Sequence, residues 1–63
     1  MEKMIIDLRP GDKITLSEGT HTVIDNPYMP YGHSNMVRVL VKSHMGVERV
    51  FQSLSQWDHI TVG

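Results

Sequence analysis

The sequence predicts an all-β domain in which five short strands bend into a small barrel, with a short 3₁₀ turn before the last strand. Three observations lead there. Short runs of β-branched and alternating residues recur between glycine and proline breaks. A hairpin-sized gap separates the third run from the fourth, and a long irregular stretch separates the second from the third. A bent, closing sheet removes the exposed edges that a flat sheet of this size would leave.

The elements follow in order. Met4-Ile5-Ile6 is a brief apolar run, and Arg9-Pro10-Gly11-Asp12 carries the proline and glycine that a type II turn needs. Lys13-Ile14-Thr15-Leu16 alternates with Ile14 and Leu16 on one face, and Ser17-Glu18-Gly19 reads as a tight hairpin connection. Thr20 to Asp25 is rich in β-branched residues and ends at Asn26-Pro27. In Met36 to Lys42, Val37, Val39 and Val41 share one face while Arg38 and Lys42 share the other, the clearest strand in the chain. Ser43-His44-Met45-Gly46 turns it into Val47 to Gln52, its antiparallel partner. Ser53 to His59 suits one 3₁₀ turn, and Ile60-Thr61-Val62 closes the chain as a brief strand.

At 63 residues the chain reads as one domain, residues 1–63. It has no cysteine, which excludes a disulfide framework and any thiolate metal site. Six basic and seven acidic side chains leave a net charge of −1, so the broad positive footprint of a nonspecific phosphate binder is missing. The N-terminal residues lack the apolar core of a signal peptide, and no run is long enough to span a bilayer. The expected setting is cytoplasmic, with no membrane partner.

The strand order resembles an SH3-like barrel. Leu8-Arg9-Pro10-Gly11-Asp12-Lys13-Ile14, followed by Gly19 and Val23-Ile24, resembles the opening of KOW-type and translation-protein barrels such as the first domain of elongation factor P. The likeness covers most of the chain as topology and about the first third as residues. Elongation factor P presents a modified basic residue at a glycine-rich loop tip, whereas the long loop here bears proline and tyrosine and no lysine. That activity does not carry over. The resemblance implies a binding module with a bias toward nucleic acid or ribonucleoprotein.

The segment Asn26 to Asn35 holds both tyrosines and two of the three prolines. Tyr28, Tyr31 and His33 are candidates to stack on bases or clasp a peptide; the competing role for the tyrosines is to fold back and complete a small core. Pro27 and Pro30 stiffen the loop. Arg38, Lys42 and Arg49 are candidates for a phosphate-binding patch, or else ordinary surface charges paired with Glu48 or Asp58. Trp57 either plugs the end of the barrel or faces a partner, plugging being the expected role. His21, His33, His44 and His59 sit on separate elements without the close spacing of a zinc site, and no nucleophile constellation or glycine-rich phosphate loop appears.

The chain therefore reads as a non-enzymatic binding module with no cofactor and no metal. Its ligand is nucleic acid or ribonucleoprotein through the six candidate residues. The alternative is a protein-interaction or inhibitory module, of the kind phages and mobile elements encode, that docks on a host enzyme or associates with a second copy of itself.

Overall fold

The computed structural model describes residues 1–32 and 34–63. The chain is all-β, with strands β1 (Glu2–Met4), β2 (Lys13–Leu16), β3 (Gly19–Val23), β4 (Val37–Ser43), β5 (Glu48–Ser53) and β6 (His59–Thr61). Its 3₁₀ turn lies at Ile5–Asp7, between β1 and β2. Before β6, where the sequence led us to expect that turn, Ser55 to Asp58 instead forms a single reverse turn, with Asp58 N donating to Ser55 O at 3.1 Å. Ser53 explains the difference, because its hydroxyl bridges the turn at 2.9 Å from Asp58 Oδ2 and 3.1 Å from Ser55 O.

β2, β3, β4 and β5 form an antiparallel meander in sequence order, and β1 pairs with β6 in a separate two-stranded ribbon. The ribbon joins the meander through one bridge, Ile14 to Val62. Val62 N donates to Met1 O at 2.7 Å and Gly63 N to Lys13 O at 2.8 Å, so the chain end lies between the first residues and β2. β5 stands at the far edge of the meander. Among the described residues the sheet thus stays open rather than closing as a five-stranded barrel, and β1 adds a sixth strand.

β4 organises the core. Val37, Val39 and Val41 are fully buried, while Lys42 on the opposite face is exposed, as a period of two requires. Ile14, Val23 and Val62 meet these valines from β2, β3 and the chain end, and Ile5 and Leu8 cover them from the 3₁₀ turn. Phe51 and Ile60 pack at the margin. The buried apolar set is entirely aliphatic, so neither tyrosine nor the tryptophan is part of it.

Two turns hold the strands in register. Asp12 N donates to Arg9 O at 3.0 Å, and Gly11 adopts φ +97°, the left-handed value that the third position of a type II turn demands. Asp12 Oδ2 accepts from Arg9 N at 3.0 Å and from Lys3 Nζ at 2.9 Å, fastening the turn to β1. At the β4–β5 hairpin Gly46 N donates to Ser43 O at 2.9 Å and Ser43 N to Val47 O at 2.9 Å, with Gly46 at φ +85°. This is a three-residue loop in which the last residue must be left-handed.

Gly46→Ala is expected to destabilise the fold by about 1 kcal/mol, because the left-handed backbone rather than crowding opposes a side chain there. The Cβ would meet only Lys42 Cε, at 3.8 Å. Thermal unfolding should show a drop of roughly 4–8 °C, and an unchanged midpoint would refute the assignment. Gly32, which has no positive φ and open space around it, serves as the neutral comparison.

Acid titration probes the other turn. The hydrogen bond from Lys3, followed by that from the Arg9 amide, holds the Asp12 carboxyl below its ordinary range. A depressed carboxylate stabilises the fold above its unfolded value near pH ~4, and that contribution is lost as pH falls through the folded value. Asp12→Asn should lower stability at neutral pH and flatten the acid limb of the stability curve. Parallel wild-type and variant curves below pH ~4 would contradict this.

Candidate functional site

The outer face of the meander, opposite the core, gathers the chemistry. Arg38 pairs with Gln52, Leu40 with Val50 and Lys42 with Glu48 across β4 and β5. On the other side of β4, Tyr28 forms a bridge to Arg38, with Tyr28 N donating to Arg38 O at 3.0 Å and Arg38 N to Tyr28 O at 2.8 Å. The loop holding Tyr28 therefore returns to the sheet as an incipient strand. Pro27 and Pro30 flank it, which limits the entropy lost when the loop is held in one shape.

Arg38 is the centre of the arrangement. Its Nε donates to Gln52 Oε1 at 3.0 Å, and its guanidinium carbon lies 5.7 Å from the centroid of the Tyr31 ring, within cation–π range. Tyr28 and Tyr31 are each 49% exposed. The core role considered for them is not what they do, because aliphatic side chains already fill the interior. Half-buried Ile24 and Leu40 and exposed Val50 complete an apolar strip along the same face.

The three basic candidates do not form one patch. Arg38 and Lys42 share the outer face, roughly 13 Å apart at four strand residues, and Lys42 stands opposite Glu48. Arg49 sits opposite Val41 on the other face and donates from a terminal guanidinium nitrogen to Glu18 Oε1 at 2.7 Å. Its partner is thus neither Glu48 nor Asp58 but a residue of the β2–β3 hairpin. That hydrogen bond leads the causes that hold the Glu18 carboxyl below its usual range.

Trp57 is 56% exposed and does not plug the fold. Its turn is tied to the long loop through Gln56 Nε2, which donates to Asn35 Oδ1 at 2.9 Å. The remaining candidate, His33, lies outside the described residues. Among those residues no group of three or more histidine or acidic side chains is placed to hold a metal ion, and no pocket is enclosed.

Gln52 is the site residue that a reading by residue type passes over. Its place was nonetheless implicit in the hairpin, since Ser43 paired with Val47 through a three-residue loop sets Arg38 opposite Gln52. Comparison with protein-family models, with characterised proteins and with solved structures finds no match for the chain. The geometry alone carries the functional argument.

Because both partners of the Arg49–Glu18 pair are about half exposed, solvent and salt screen it. Glu18→Gln is expected to leave the thermal midpoint at physiological salt essentially unchanged. A clear loss of stability in differential scanning calorimetry would show that the bridge fastens the β2–β3 hairpin to β5 after all.

Proposed function

We propose that the chain is a binding module that recognises a partner protein through Tyr28, Tyr31 and Arg38 on the outer sheet face. The observation that supports this most is the held guanidinium of Arg38, fixed by Gln52 and the Tyr31 ring beside two half-exposed tyrosines. Tyrosine and arginine dominate the energetics of protein interfaces. Side chains already ordered before contact lose little entropy on binding. The apolar strip of Ile24, Leu40 and Val50 supplies the dry centre that such a contact needs.

A second reading, single-stranded nucleic acid or ribonucleoprotein, is favoured by the location of Arg38 and Lys42 on the tyrosine face, which suits phosphates beside stacked bases. It ranks lower. Arg49 faces the other way, Lys42 has Glu48 opposite, and the net charge is −1.

The finer architecture belongs to the same proposal. The meander β2 to β5, with the chain end returning beside β2 through the Ile14–Val62 bridge, supports an SH3-like relationship in an open form.

The test is selection of peptide or small-domain ligands from a displayed library on the wild-type chain, followed by affinity measurement on Tyr31→Ala and Arg38→Ala. Loss of at least about 30-fold on either variant, with the fold retained by circular dichroism, is the expected result. Ligands indifferent to both substitutions would reject the surface. Salt-dependent binding of single-stranded RNA or DNA that disappears in Arg38→Ala would instead establish the second reading.

A further inference from the structure

The edge of β5 carries a self-complementary pattern. Arg38 exchanges its backbone bonds with Tyr28, and Leu40 O accepts from Ile24 N at 3.0 Å, so these residues turn their main-chain groups away from β5. The β4 residues that bond to β5 are the alternate ones, as Ser43 N donating to Val47 O shows. Because Val41 pairs with Arg49 and Val39 with Phe51, β5 directs the main-chain groups of Arg49 and Phe51 inward. Those of Glu48, Val50 and Gln52 therefore point outward. All three residues are exposed, and among the described residues none makes a backbone hydrogen bond beyond the sheet.

We propose that this edge pairs antiparallel with β5 of a second copy of the chain, centred on Val50. A two-fold axis relating antiparallel strands of one sheet stands perpendicular to that sheet, so each residue meets one that points to the same side. Centring on Val50 uses every outward group. Glu48 pairs with the second copy's Gln52, Val50 with its own counterpart and Gln52 with the second copy's Glu48, each pair exchanging both N–H···O bonds.

The side chains select the same register. Centring on Glu48 would oppose two carboxylates, and centring on Arg49 would oppose two guanidinium groups, both unfavourable. The Val50 register instead sets two half-exposed valines together and each Glu48 carboxylate beside an amide. The Gln52 oxygen is already engaged by Arg38 Nε at 3.0 Å, leaving the NH₂ end to donate to that carboxylate. Lys42, opposite Glu48 on its own chain, begins a row that runs through that carboxylate and the second copy's neutral Gln52 to the second copy's Arg38, so no two like charges are neighbours in it. Symmetry supplies the row twice.

Sheet edges are commonly guarded by lysine, proline or a bulge. β5 reads Glu-Arg-Val-Phe-Gln-Ser and pairs with β4 without interruption, so it has no lysine, proline or bulge. Of its two charged residues, Arg49 is paired with Glu18 and Glu48 meets the second copy's Gln52 in this register. The contact is one short strand, smaller than the ~1,200 Å² at which stable interfaces begin, so the dimer is expected to dissociate on the order of 10 μM to 1 mM. Its two-fold places both Tyr28, Tyr31 and Arg38 clusters on the same side of one continuous sheet. The inference does not depend on what those clusters bind.

Sedimentation velocity on the full chain from about 10 μM to about 1 mM should show a reversible monomer–dimer transition. Over the same range the Glu48, Val50 and Gln52 amide protons should gain protection from hydrogen exchange, while Arg49 and Phe51 stay protected throughout. Val50→Lys, at a half-exposed position, should abolish the dimer by facing like charges across the axis. A monomer at the highest concentration, a dimer unmoved by Val50→Lys, or a dimer lacking the three-residue exchange pattern would each overturn the proposal. Should Val50→Lys fail to fold, the wild-type exchange pattern decides alone.

Discussion

The structure depends on the burial of one side of β4. Val37, Val39 and Val41 lie wholly out of water, and each fully buried aliphatic side chain contributes about 1.5–3 kcal/mol relative to exposure. In a domain this small no other strand offers three such residues. β3 and β5 flank β4, the 3₁₀ turn at Ile5–Asp7 brings Ile5 and Leu8 over the valines, and the chain end brings Val62. A one-residue slip of β4 would turn the valines to solvent and Arg38 inward, so the same constraint fixes the register of the surface.

That constraint also explains what lies outside. The buried apolar side chains from the strands, the turn and the chain end are all aliphatic, with the His21 imidazole buried beside them and Phe51 at the margin. Tyr28, Tyr31 and Trp57 are thereby left at the surface, where their area is free for contact with something else. Arg38 owes its position to the alternation that buries its neighbours, and its orientation to Gln52 and Tyr31. Packing and recognition are thus set by the two faces of one strand.

Much of this was legible in the residues. β2 spans the residues its alternation marks, the Pro10-Gly11 turn has the left-handed glycine its composition calls for, and the valines of β4 face the core. Less legible was anything set by contacts distant in sequence. Leu8 reads as part of a turn yet is fully buried, because the turn folds over the sheet. Arg49 has the appearance of a patch residue yet pairs with Glu18, 31 positions away. The tyrosines and Trp57 look like core material in so small a chain, and only the count of aliphatic residues converging from separate elements shows that the space is taken. Sheet closure is likewise a matter of global curvature, which local pattern does not encode.

The exposure of Trp57 has a spectroscopic consequence. With its indole 56% accessible, the chain's sole tryptophan emits from a largely aqueous surrounding in the native state, and unfolding changes that surrounding little. Its fluorescence is consequently a weak reporter of denaturation. The same indole becomes a sensitive one when a partner covers the turn that carries it, since a blue shift then registers the removal of water from a ring that folding itself leaves wet.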